Sequence, residues 1–186
     1  MVQNIDNLSM EITLILIKRK SHLREISRSL NESHSTIHRK LANLKKENIL
    51  DSKTEGKNKI FFLKDTLKAK SLVYSAELYK LIKTIGKYPE LEIILNEIKK
   101  NSDEKMIILF GSYAKGNAEK SSDIDIYIET SNSKIMPQIE QINSKISVKI
   151  GEFNKNSPLI KEIIKDHVIL RGFERFYEKA GIFELN

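Results

Sequence analysis

The chain has 186 residues, a formal net charge of +7 and no cysteine or tryptophan. That length suits one or two small domains, and the missing cysteine excludes thiol catalysis and thiolate metal sites while suiting a reducing compartment. No apolar run reaches the roughly 18 residues of a membrane span and the amino terminus lacks a basic-then-apolar secretory pattern, so a cytoplasmic protein with no membrane partner is expected.

Residues 9–20 carry Ile12, Leu16 and Ile17 at helical spacing, and 21–30 carry Leu23, Ile26 and Leu30 on one stripe, closed by Asn31. Ser33 can cap a third helix in which Ile37, Leu41 and Leu44 face inward, leaving His34, Ser35, Thr36, His38, Arg39 and Lys40 mostly outward. The polar, Gly-containing stretch 51–59 and the strand Ile60–Leu63 follow. This helix, helix, helix, hairpin order, with the run from Ser35 to Leu50, resembles the winged helix-turn-helix regulators of archaea and bacteria. The resemblance implies a DNA partner, with the third helix in the major groove and the wing on the backbone. Ser35, Thr36, His38 and Arg39 would then lie nearest the bases, Lys40 beside them, and Lys53, Lys57 and Lys59 on phosphates. Charge agrees: residues 1–64 hold 13 Lys and Arg against 7 Asp and Glu, whereas 101–186 hold 12 against 13. His34 and His38 stand four apart, but with His22 and His167 they make no metal spacing.

Residues 65–86 and 90–100 read as helices interrupted at Gly86–Pro89. The apolar stripe Tyr74, Leu78, Leu81, Ile82 and Ile85 serves a core or a dimer face, so 65–100 is expected to be a helical connector and 65–86 a homodimer element.

The run from Phe110 to Ile128 is the chemically richest. Met106–Phe110 reads as a buried strand, Gly111 turns the backbone and exposes its N–H groups, and Ser112 adds a hydroxyl. Asp123 and Asp125 alternate with Ile124, Ile126 and Ile128, so a strand places both carboxylates on one face. Paired carboxylates repel unless a cation neutralises them, and hard oxygen ligands favour magnesium or manganese. Gly111-Ser112, ten residues, then Asp123-Ile-Asp125 resembles the signature of the polymerase-beta-like, particularly the minimal, nucleotidyltransferases over roughly residues 104–175. That resemblance implies that Gly111 and Ser112 hold the phosphates of a nucleoside triphosphate such as ATP, and that Asp123 and Asp125 are catalytic and bind the metal.

The family places a third carboxylate on a later strand. Here Ile146–Ile150 buries Ile146, Val148 and Ile150 and offers Ser147 and Lys149 on the other face, with no acid at the matching position. Glu129 and Glu152 are the candidate substitutes. Beyond it, Ile160, Ile163, Ile164 and Val168 mark a further helix, and Phe173–Tyr177 completes the core. The expected architecture is therefore mixed α+β: a winged helix at 1–64, a helical connector at 65–100, and a small nucleotidyltransferase-fold sheet flanked by helices at 101–186. The expected activity is transfer of a nucleoside monophosphate to a hydroxyl. The alternatives are a regulator whose catalytically degenerate domain senses nucleotide or dimerises, and an antitoxin with a toxin protein as partner.

Overall fold

A computed structural model describes residues 5–56 and 58–183. The chain divides into two compact units, residues 1–79 with 181–186 and residues 80–180.

In the first unit, Asp6 caps helix α1 (Asn7–Lys18) by accepting the Ser9 N–H at 3.0 Å. The second predicted helix begins where its apolar stripe does, at Leu23, and not at Ser21. Ser21–His22 form a short strand β1, and His22 then caps α2 (Leu23–Leu30) in a reciprocal pair with Glu25, both bonds 3.3 Å. Asn31 closes α2 in the left-handed conformation, φ 52°, and Ser33 caps α3 (His34–Lys46) through the Thr36 N–H. Ile37, Leu41 and Leu44 are buried as their spacing requires.

The stretch expected as a polar wing is itself paired. Strand β2 (Leu50–Glu55) runs antiparallel to β3 (Asn58–Leu63), from Leu50 opposite Leu63 to Glu55 opposite Asn58, in the sheet order β1-β3-β2. The tip of this ribbon, Lys53–Glu55 against Asn58 and Lys59, is exposed and needs no apolar alternation, so that part of the sequence carries no strand signal. Three helices followed by this ribbon make a winged-helix arrangement. Helix α4 (Leu67–Lys87) buries Ala69, Leu72, Val73 and Ala76 in this unit and continues through Gly86, so the break falls at Tyr88–Pro89 rather than at the glycine.

The second unit is a four-stranded sheet between helices. Its order is β6-β5-β4-β7, from β4 (Ile107–Phe110), β5 (Ile124–Glu129), β6 (Ile146–Gly151) and β7 (Val168–Arg171). Strand β5 runs parallel to β6, with α7 (Ile135–Glu140) in the crossover, while β4 is antiparallel to both neighbours. Leu91, Leu95 and Ile98 of α5 (Glu90–Lys100) pack with Ile135 and Ile139 of α7 against Ile107, Leu109, Ile124, Ile126, Ile128 and Val148. Each such side chain contributes about 1.5–3 kcal/mol by leaving water. Helix α5, expected in a connector, is therefore part of this core. On the opposite sheet face, Tyr127 meets the edge of Phe153, which in turn meets Phe176, with α8 (Pro158–Lys165) and α9 (Phe173–Ala180) in chain order around β7.

Candidate functional site

The site grows from the end of β4. Phe110 is the register partner of Asp125 across the β4–β5 ladder, which brings the next residue, Gly111, against the Asp125 side chain. Gly111 has φ +69°, and a Cβ there would intrude on the carboxylate, with Asp125 Cγ at 2.9 Å and Cβ at 3.2 Å. Only glycine fits both the backbone angle and the contact. Gly111 opens α6 (Gly111–Lys115), a short helix that also holds Ser112. The turn after α6 is gripped by the end of α4 and its neighbour: Lys87 Nζ donates to the Gly116 carbonyl at 2.6 Å, Tyr88 Oη accepts the Ala118 N–H at 3.1 Å, and the Tyr88 and Tyr113 rings meet edge-on at 4.9 Å.

Asp125 lies half-buried in β5, whereas Asp123 is exposed in the loop one residue ahead of that strand. Burial pushes the Asp125 carboxyl above the usual range, Asp123 and then Glu162 push it further, and Lys149 and Lys115 pull it back. Among the described residues no three acidic or imidazole side chains converge as a metal cluster. The donor set is oxygen only, and the repulsion within the Asp123–Asp125 pair is what a hard divalent cation relieves.

The sheet register places Ser147 directly beside Asp125 and Lys149 beside Tyr127, so a neutral hydroxyl stands next to Asp125 on the neighbouring strand. Glu129 is already engaged by two cations. Its carboxylate, 8% exposed, is held by Arg175 and Lys179 of α9, and although burial raises its pKa, those two cations lower it below the usual glutamate value. Glu152 is exposed past the end of β6 and acts on Tyr127. Tyr127 is a packed core residue whose hydroxyl donates to the Gly151 carbonyl at 2.8 Å. Two residues of this region escaped sequence reasoning. Lys115 sits inside the quoted motif, and Glu162 of α8 pairs with it at 2.7 Å. Nothing local distinguishes Glu162 from any solvated charge on an amphipathic helix.

In the first unit, Ser35, His38 and Arg39 are exposed on α3 and Thr36 is half-buried, with the Ser35 and Thr36 hydroxyls 2.9 and 2.8 Å from Ser33 Oγ. Lys40 is set apart from this group: its side chain is 12% exposed and its ammonium meets Asp6 at 2.8 Å. Lys53 is exposed and pairs with Glu55 at 2.6 Å, and exposed Lys59 lies over the Phe61 ring. Lys57 lies outside the described residues. Sequence reasoning passed over Arg24 and Arg28, exposed on α2, which line a recess of about 440 Å³ with Ser27, Asn31, Glu32 and His34. Their helical spacing of four was the available signal. No helix among the described residues is long and apolar enough to cross a membrane.

A family model for the nucleotidyltransferase domain matches residues 91–171. Two proteins of Methanocaldococcus jannaschii, each named "Putative protein adenylyltransferase", are similar to the chain. One is 33% identical over 93 residues, 43% of this chain and 93% of its own length. Another is 34% identical over 65 residues, 33% of this chain and 76% of its own. Among solved structures, a ZitR mutant from Lactococcus lactis has TM-score 0.40 at 21% identity, covering 49% of this chain and 62% of that one, less than two-thirds of its length. The adhesin competence repressor of Streptococcus pyogenes has TM-score 0.37 at 19% identity, covering 53% and 81%. A toxin–antitoxin structure with AMP-PNP has TM-score 0.34 at 18% identity, covering 57% and 86%. Structural likenesses of that size carry no argument about what this chain binds.

Proposed function

The chain belongs to the nucleotidyltransferase-domain family through residues 91–171, and from that premise we propose that its second unit binds a divalent metal–nucleoside triphosphate complex and transfers the nucleoside monophosphate to a hydroxyl. The observation that carries this reading is the contact between Gly111 and Asp125, which joins the phosphate-seating turn to the acid pair with no room for a side chain between them. Asp123 and Asp125 would hold the cation, magnesium or manganese. Bound there, it would offset phosphate charge and polarise the reacting phosphoryl group.

The chain's own groups supply the rest. The backbone of the Gly111 turn and the Ser112 hydroxyl would hold the two phosphates that leave, and Lys115 adds a positive charge at the far end of the same short helix. Binding there aligns the α-phosphorus with an incoming hydroxyl. The hydroxyl oxygen bonds to the α-phosphorus, the bond from that phosphorus to the bridging oxygen breaks, pyrophosphate leaves with the electron pair, and the hydroxyl proton is released. The name shared by the archaeal relatives favours ATP as donor and a protein side chain as acceptor. Incubating the full chain with α-labelled ATP, magnesium and a host protein extract tests this: label should pass to protein with the wild type and not with Asp125→Asn. Label transfer that persists in Asp125→Asn would place the chemistry elsewhere.

Ser147 beside Asp125 favours a second reading, in which nucleotide is held as a signal without turnover. Tight magnesium–ATP binding with no labelled product from any acceptor would select it.

The first unit would read DNA. Its support is the +6 balance of residues 1–64 together with exposed Ser35, His38 and Arg39 on α3 and exposed Lys53 and Lys59 on the ribbon. Lys40 would serve mainly as a tie to Asp6. Arg39→Ala should weaken DNA binding and reduce the slope of log affinity against log salt by about 1 if Arg39 meets a phosphate, or relax sequence preference if it meets a base. Fluorescence anisotropy at several salt concentrations reads both, and an unchanged affinity with unchanged preference would remove α3 from the interface.

A further inference from the structure

Arg24, Ser27, Arg28 and Asn31 follow one another at intervals of three, one and three, so they share one face of α2 and its closing turn. That turn is held by the Glu32 N–H on the Ser27 carbonyl at 3.0 Å, and it brings His34, the first residue of α3, to the same recess of about 440 Å³. Both arginines are exposed, and neither forms an ion pair among the described residues. Glu32, also exposed, is the one acid lining the recess, so the balance there stays positive.

Ser27 separates this recess from an ordinary basic surface. It is 4% exposed, which sets it at the bottom, and its hydroxyl meets no hydrogen-bond partner among the described residues. A helical hydroxyl ordinarily satisfies itself on the carbonyl four residues back, as Thr13, Ser75 and Thr84 do on Ser9, Ser71 and Lys80 at 2.8 to 2.9 Å. Ser27 leaves that bond unmade, and a buried orphan of this kind needs a partner from outside the chain. Two guanidinium groups, an orphan hydroxyl and the electropositive start of α3 thus meet at one concavity, a combination suited to a phosphate.

We propose that this recess is a phosphate-binding site, in which Arg24 and Arg28 neutralise the charge and the Ser27 hydroxyl donates to a phosphate oxygen. The phosphate belongs either to a small phosphorylated molecule or to the DNA backbone, since α3, which starts at the recess, is the helix assigned to the groove. The inference is independent of the metal–nucleotide reading, and only its DNA form rests on the DNA reading.

The test follows the backbone amide signals of Ser27, Asn31 and His34 by NMR while inorganic phosphate replaces chloride at constant ionic strength, and duplex DNA binding by anisotropy at several salt concentrations. A small-molecule site predicts saturable shifts of those amides in the full wild-type chain. They should vanish in Arg24→Ala/Arg28→Ala and need about tenfold more phosphate in Ser27→Ala, the weight of one hydrogen bond to a charged group. A backbone site predicts no saturation by inorganic phosphate. Instead the arginine variant should lower the slope of log affinity against log salt by about 1, for one phosphate, and Ser27→Ala should weaken DNA binding at unchanged slope. Ser27→Ala removes an unpaired hydroxyl and no charge, so its loss of binding reports neither unfolding nor general electrostatics. Amides that ignore phosphate, together with DNA binding unchanged in the arginine variant, would overturn the inference. So would shifts that persist without the arginines, or a Ser27→Ala chain that binds as the wild type does, since the charges would then act from the open surface. If the chain binds no duplex, the DNA reading fails by itself and the phosphate titration alone decides.

Discussion

Gly111→Ala should leave the second unit folded and abolish the nucleotide binding proposed for it. An alanine at φ +69° is strained by about 1–2 kcal/mol, the usual cost of the left-handed region for a residue with a Cβ. The larger consequence is steric. The new methyl would occupy space now filled by the Asp125 carboxylate, whose Cγ would stand 2.9 Å away, so the aspartate must rotate out of its position beside the turn. Displacing a reacting group by about 1 Å costs on the order of 100-fold in rate, and metal–nucleotide affinity should fall with it. Calorimetry and thermal melting separate the two effects: a modest drop in Tm with binding lost supports the geometry. Adding Asp125→Gly should recover the steric part of the stability without recovering binding. Wild-type affinity in Gly111→Ala would mean that the Gly111–Asp125 contact is not the site.

Arg175→Ala combined with Lys179→Ala should destabilise the second unit by about 3 kcal/mol, the cost of leaving a buried carboxylate without its partners. Glu129 is 8% exposed, and both cations holding it come from α9. For a unit of this size, that change should lower Tm by more than about 10 °C. The pH dependence should also invert. In the wild type the cations hold Glu129 below the usual glutamate value, so its contribution is complete above that value and is lost as pH falls through the depressed one. With both cations removed, burial alone raises Glu129, and the cost grows as pH rises through the glutamate range. Tm measured from pH 4 to 7 should therefore show the variant's deficit shrinking toward acid. A Tm within 2 °C of wild type at pH 7, or a deficit that grows toward acid, would contradict the ion-pair account.

Much of this arrangement was legible because it rests on local patterns. The period of Ile37, Leu41 and Leu44 buries one face of α3, and Asn31 and Ser33 are punctuation whose chemistry is local. Alternation in β5 and β6 puts Ser147 on the same sheet face as Asp125, and the strand register, which alternation alone does not fix, sets the two side by side. The polar stretch 51–59 was not legible as strand, because main-chain pairing at the exposed tip leaves no mark on side-chain type. Helix α5 has the stripe of a surface helix, and nothing in it says which unit it covers. The hardest features were contacts distant in sequence. Lys40 turns from the exposed face of α3 to Asp6, and Glu162 meets Lys115 only because α8 packs beside β4, neither of which spacing can announce.

The measurement closest to the central claim is calorimetric titration of ATP, with and without magnesium, into the full wild-type chain and into Asp123→Ala/Asp125→Ala. The account predicts magnesium-dependent binding at about one nucleotide per chain in the wild type and none in the double variant, both folded by circular dichroism. A folded wild type that binds no nucleotide, or a double variant that binds as the wild type does, would contradict it.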